Sequence, residues 1–319
     1  MTEAVAQATS TDTHTRRQAV IGWSAALVSA AAFGTSGAFA KPLLASGWSA
    51  GAVVAVRLGL AAVVLLIPGL IALRGRWGLL RDHWVPLACY GVFGGATAQV
   101  AFFNAVQYVP VALGLLLEYL GILLVVAWVA LRGRRLPSRL TLIGVAVAIT
   151  GLVIVLDPAG MSGLDPRGLA WGVLAAGGLA VYFVVSARPM TLPPLTFVSV
   201  GLSVGTVAIL IAGIVGLMPL RASTADVSFV GVTLPWWLPL VELALVAAAA
   251  AYALGFVGVQ HLGSTVASFV GLTEVLFAVA WAWLLLAELP GLLQLVGGII
   301  LLAGVAAVQR GQASELRPG

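Results

Sequence analysis

Arg57, Glu118, Glu242 and Glu274 stand as isolated charges within long apolar stretches of the chain. A charge at such depth is unfavourable, rare and by default functional, facing a polar interior or an opposite charge. A carboxylate so placed can bind an amine or exchange a proton. Glu118 and Glu274 are therefore candidates for substrate binding, proton coupling or both. The alternative is a protonated glutamate hydrogen-bonded between helices to fix packing. For Arg57 the expectations are an ion pair with Glu242 at similar depth, a competing pair with Glu118, or snorkelling to an interface. Left unpaired, its guanidinium would suit a substrate carboxylate.

Neutral side chains extend the set. Gln99 and Tyr252 are candidates for hydrogen-bonding a substrate near mid-span, and Tyr119 and Tyr182 offer aromatic faces to a cation. Gln107 and Gln260 fall at the ends of apolar stretches and read as capping or gate contacts. Covalent chemistry has little to work with. No GxxxxGK[ST], HExxH or GxSxG segment is present, the one cysteine is Cys89, and none of His14, His83 and His261 has a partner at metal-ligand spacing. The expectation is a protein without catalytic residues, metal or cofactor. A membrane-embedded lipid-modifying enzyme is the alternative from another class, and it would need a nucleophile and base clustered near one interface.

The elements that must hold these residues follow from composition. Apolar residues make up 61% of 319 positions and charged ones 8%, against roughly a quarter charged in a soluble domain. A helix needs about 20 apolar residues to cross the hydrocarbon, and only helices or closed barrels satisfy their backbone there. The Leu, Val, Ala and Gly runs are too long for barrel strands. Ten spans are expected, at 18–40, 50–73, 84–107, 111–131, 138–156, 167–187, 195–218, 236–259, 264–286 and 291–309. The fold class is an all-α polytopic membrane protein. Residues 1–17 read as a disordered cytoplasmic tail, 18–157 as a first five-helix unit, 158–309 as a second, and 310–319 as a further cytoplasmic tail. The net charge of +5 sits on no basic domain outside the membrane, so nucleic acid is not an expected partner. The lipid bilayer and a small molecule are, with protons as candidate coupling ions and a monomer or homodimer both open.

The two units are copies of each other. Trp84 and Trp237, Pro86 and Pro239, Gln107 and Gln260, Trp128 and Trp281, Pro137 and Pro290, Gly144 and Gly297, and Gly151 and Gly304 all lie 153 positions apart. Gln99 and Tyr252 are equivalent at this offset, whereas Glu118 maps onto Gly271, about one turn from Glu274. With the N-terminus in the cytoplasm, twelve of the basic residues are inside, among them Arg16, Arg17, Arg74, Arg76, Arg81, Arg132, Arg134, Arg135, Arg139, Arg188, Arg310 and Arg317, and three, Lys41, Arg167 and Arg221, are outside. Five spans per copy is an odd number, so equivalent segments run in opposite directions. The loop LRGRRLPSR carries four arginines while its counterpart LLAELPGLL carries none. Inverted repeats place a binding site near the midplane between the copies.

Residues Gln107-Tyr108-Val109-Pro110 followed by LLLEYL at 115–120, and LTEVLFAVAWAWLLLAELP at 272–290 followed by GGIILLAG at 297–304, resemble the EamA type of the drug/metabolite transporter superfamily. The resemblance covers roughly residues 20–308. It implies a bacterial-type inner-membrane protein that exports or exchanges small metabolites such as amino acids, or drug-like cations, by alternating access through a cavity between the copies. Transport coupled to protons and uncoupled facilitated exchange are both compatible with it. Family members often carry Pro shortly after the Glu of LLEYL; Gly121 and Ile122 stand there in this chain, so a glycine bend replaces a proline kink.

Overall fold

In a computed structural model of the chain, residues 2–133, 138–156, 165–186, 188 and 190–315 are described. Among the described residues the apolar stretches form ten helices: α1 (Thr2–Ala45), α2 (Ala50–Leu73), α3 (Trp84–Ala105), α4 (Val111–Trp128), α5 (Arg139–Leu156), α6 (Pro166–Ser186), α7 (Pro194–Ile214), α8 (Trp237–Leu262), α9 (Thr273–Leu286) and α10 (Leu292–Glu315). Seven are long and apolar enough to cross a membrane, and α5, α9 and α10 supply three shorter apolar segments. The chain is an all-α polytopic membrane protein. Arg134, Arg135, Pro137, Arg317 and the unit boundary between 157 and 158 lie outside the described residues.

The glycines shared by the copies reveal how the copies meet. A Cβ on Gly144 would lie 2.8 Å from the Gly304 carbonyl oxygen, and one on Gly151 would lie 2.7 Å from that of Gly297. Each glycine thus faces the repeat equivalent of the other, a reciprocity that a two-fold relation generates. It makes α5 and α10 antiparallel, with their backbones in near contact through small residues. Gly151→Ala is therefore expected to destabilise the protein by about 1–3 kcal/mol, as overpacking against immobile backbone does. Gly177→Ala on α6, where a Cβ meets nothing within 4 Å, is expected to be neutral or slightly stabilising. Thermal unfolding of the two purified variants in detergent separates them, and equal midpoints would refute the backbone-contact account.

A second shared feature is a π-helical segment in α3, Tyr90–Thr97, and another in α8, Leu245–Ala250. They end at matched positions. Such wide turns shift the face that a helix presents and leave carbonyls free for other donors.

Three features differ from expectation. The segment before residue 18 is helical and continuous with α1 rather than disordered. It contains no Gly or Pro, and extending a formed helix needs no new nucleation. Between α8 and α9 the helix Ala251–Gly271 runs through the connection expected at 260–263. In the first copy Pro110 bars helix at that point, while its equivalent, Gly263, does not. The direction still reverses. Ser29 on α1 donates to Ala251 O at 2.7 Å and Gly22 lies beside His261 and Leu262, whereas Gly34 adjoins Glu274 and Lys41 pairs with Glu288. α8 runs down α1 and α9 climbs it.

The third difference is a hairpin between α7 and α8. β1 (Val227–Phe229) pairs antiparallel with β2 (Val232–Leu234), Val227 opposite Leu234, and Gly231 supplies the positive φ of 74° that the turn needs. The hairpin lies across one end of the bundle. Phe229 packs on Phe39 of α1 with ring centroids 5.4 Å apart, and the Val230 N–H donates to Leu285 O of α9 at 3.0 Å.

Candidate functional site

Glu118 lies just before a break in α4, and Glu274 just after the break that precedes α9. In α4 the break is at Leu120, whose N–H donates to Leu117 O at 3.1 Å while its carbonyl accepts from Leu123 N at 2.9 Å, tighter turns than an α-helix makes. Gly121 permits the break to pack: a Cβ there would sit 3.0 Å from that of Leu179 on α6. In the second copy the break falls at Leu272, and Glu274 occupies the first turn of α9, where free N–H groups suit an anion. The Tyr119 hydroxyl crosses between the copies, with Glu274 Oε2 at 3.1 Å and Gly271 O at 3.3 Å as its acceptors. Glu118 is buried one residue before it and makes no hydrogen bond among the described residues.

Arg57 takes neither expected ion pair. Its guanidinium is 1% exposed and donates from Nη1 to Gln99 Oε1 at 2.7 Å, and from Nη2 to Ser36 Oγ and Ala247 O, each at 2.9 Å. The Phe103 ring lies 5.4 Å from its Cζ. Among the described residues no carboxylate oxygen comes within 4.0 Å, and Nε has no partner. The freed carbonyl of the α8 π-segment thus replaces a counter-ion. Arg57 ties α2 to α1, α3 and α8, across both copies, and does not reach an interface. Gln99 is drawn into this network.

Glu242 sits apart, on α8. Its Oε1 bonds the Thr35 hydroxyl of α1 at 2.6 Å, the same hydroxyl lies 2.7 Å from Ala32 O, and Oε2 is buried without a partner. Tyr252 packs edge-on against Phe33, with centroids 4.9 Å apart. Gln107 and Asn104 bond their own helix, at Phe103 O and Val100 O, as span-end caps do. Trp281 donates to Ala31 O at 3.1 Å and reads as packing, while Trp283 is exposed on the outer surface of the bundle.

Three sets of contacts were not foreseen from the sequence. Thr35 and Ser36 bond Glu242 and Arg57, yet Ser and Thr inside apolar helices so often bond their own backbone that they give no distinct signal. Tyr90 is buried with an unpaired hydroxyl. At the Lys41 end of the bundle, Glu288 pairs with Lys41 and accepts from the Val111 N–H at 3.2 Å, joining α1, the start of α4 and the α9–α10 connection. Asp165 caps the start of α6 nearby, where the Arg167 side chain bonded to it holds its carboxyl below the usual range. A cavity of about 70 Å³ lies at this end, between α4, α9 and α10. Its walls are apolar apart from Glu288 and Gln294, and it excludes Glu118 and Glu274.

The internal symmetry of this arrangement is matched by comparison with known proteins. A model of the EamA-like transporter family matches residues 20–157 and again 166–309. The chain belongs to that family. Among relatives of this EamA-like protein is the uncharacterized inner membrane transporter YicL of Salmonella typhimurium, 24% identical over 168 residues. That match takes in 51% of this chain and spans about half the length of the relative, 56% of it. A crystal structure 21% identical in sequence superposes with a TM-score of 0.57 over 92% of this chain and 97% of the other. It shares the fold.

Proposed function

We propose that this EamA-like protein is a secondary carrier that exports a small amine-bearing metabolite, such as an amino acid, or a drug-like cation by alternating access. Glu274 and Glu118 carry the charge that receives the cation. The observation that carries this reading is the Tyr119–Glu274 bond beside Glu118, which joins α4 of one copy to α9 of the other where both helices break. Carboxylates at a seam between inverted repeats, Glu118 buried and Glu274 partly so, are placed to be exposed first to one side and then to the other. Twelve of fifteen basic residues outside the spans support cytoplasmic termini and an inner-membrane location. The Lys41 end is then the outer one. Gln99, Tyr252 and Arg57 are read as supporting residues around the same interior, with Arg57 holding helices in place.

Proton antiport is the coupled version. The Tyr119 hydroxyl has one proton and two acceptors, Glu274 and Gly271 O. When it donates to the carbonyl, Glu274 keeps its bond only by carrying a proton; when it donates to Glu274, the carboxylate stands charged and able to take a cation. Thr35 offers Glu242 the same choice. Protonation removes the attraction for a cation, so binding weakens as pH falls. Flux in proteoliposomes tests this. A pH gradient is expected to drive amine accumulation, and Glu118→Gln with Glu274→Gln to abolish it. Transport that ignores the gradient and survives both substitutions would leave uncoupled exchange as the mechanism.

A further inference from the structure

Tyr90, on the π-segment of α3, is 2% exposed and its hydroxyl has no hydrogen-bond partner. Its ring lies 5.5 Å from that of Tyr182 on α6 and 4.7 Å, edge-on, from that of Phe197 on α7. Tyr252, on α8 just past the matching π-segment, lies within electrostatic range of both Tyr90 and Tyr182, and Glu274 within range of Tyr182 and Tyr252. Among the described residues the hydroxyls of Tyr182 and Tyr252 make no hydrogen bond either. A phenol in an apolar interior ordinarily finds a partner, because an unmade bond there is not replaced by water. The Tyr90 hydroxyl is the orphaned one of the three, while Tyr182 and Tyr252 are partly exposed within the bundle, so the phenols and the Glu274 carboxylate make a set of groups that the fold itself does not satisfy.

We propose that Tyr90, Tyr182 and Tyr252 form the recognition end of the carrier site, and that its ligand is an organic ammonium bearing an oxygen that accepts a hydrogen bond from these phenols. This rests on the reading of the protein as an amine carrier. The ammonium is taken by the aromatic faces and Glu274, while the phenolic O–H groups select for the oxygen. A site whose donors are left unpaired by an analogue discriminates against that analogue strongly.

The test uses the full-length protein in detergent and two probes that differ by one hydroxyl, 2-phenylethylamine and 2-amino-1-phenylethanol, with affinity read by calorimetry. The wild type is expected to bind the hydroxylated amine about tenfold more tightly, the worth of one hydrogen bond. Tyr90→Phe, which keeps the ring, is expected to erase that preference and leave the other amine unchanged. Tyr252→Phe provides the same comparison should Tyr90→Phe not fold. Binding of both probes with no preference, or a preference that survives both Phe variants, overturns this inference while the amine-carrier reading stands. If the wild type binds neither probe, the amine-carrier reading falls and this inference with it.

Discussion

A carrier whose Phe39→Cys and Phe229→Cys side chains are joined by a short reducible thiol cross-linker, in a Cys89→Ser background, will lose more than about nine-tenths of its transport and regain it on reduction. The expectation follows from which parts of the chain meet at the Lys41 end. Phe39 and Lys41 belong to α1, in the first copy; the hairpin, Leu285 and Glu288 belong to the second. Phe39 against Phe229, Lys41 with Glu288, and Val111 N–H on Glu288 therefore all cross the boundary between copies at one end of the molecule. The hairpin is in turn bonded to α9 through Val230 and Leu285. Alternating access requires one end of that boundary to part while the other closes. A covalent bridge between α1 and the hairpin holds this end shut, whatever the substrate. The ion pair alone is a weaker restraint, since its side chains are 28% and 24% exposed and pairs within reach of solvent contribute about 1 kcal/mol. Lys41→Gln is accordingly expected to shift the balance between closed and open forms and to change the rate only a few-fold. Each single-cysteine variant treated with the same reagent controls for modification. Transport at the unlinked rate in the bridged protein would mean that this end does not open.

Much of this architecture was legible because the relevant signals are positions along the chain. Depth in the membrane is read from the distance to the ends of an apolar stretch, and the seven matched pairs fix the copies in register. The glycines at 144, 151, 297 and 304 were recognisable as packing positions, and the structure places them in reciprocal contact. Rotation about each helix axis was not legible. In water an amphipathic stripe reveals which way a helix faces, but lipid is as apolar as the interior, so buried and exposed faces here carry similar side chains. Leu116 is buried and Leu124 is 45% exposed on the same span, and nothing in their chemistry separates them. For the same reason similar depth suggested an Arg57–Glu242 pair, when the guanidinium faces Gln99, Ser36 and a π-segment carbonyl instead. The π-segments themselves have no clear sequence mark, and Tyr90 passed unnoticed because an aromatic in an apolar run is usually packing. The hairpin carried a readable alternation, with Val227 and Phe229 buried and Ser228 exposed, but it was concealed within a connection between two long spans.

Glu274→Gln is expected to lower the affinity for a transported cation about a hundredfold, whereas Glu242→Gln changes it less than about fivefold. Two unit charges 4 Å apart attract by about 4 kcal/mol at an effective dielectric of 20. Desolvation of the ammonium removes part of this, leaving a difference of about 2.7 kcal/mol, which is two decades in affinity. The substitution preserves volume, and the Gln carbonyl still accepts from Tyr119, so the seam between α4 and α9 is kept and the loss is one of charge. Glu242 differs in kind. Its Oε1 is engaged by Thr35 on α1, it lies before the π-segment of α8, and it is Glu274 that lies within electrostatic range of Tyr182 and Tyr252. Tracer counterflow across a range of substrate concentrations separates affinity from rate for each variant. Tyr119→Phe supplies the remaining distinction: it keeps the charge at Glu274 but removes the hydroxyl that offers its single proton to either acceptor, so the cation is still bound while coupling to an imposed pH gradient is lost. Counterflow retained within threefold in Glu274→Gln, together with its loss in Glu242→Gln, would move the site from the α4–α9 seam to the contact between α1 and α8.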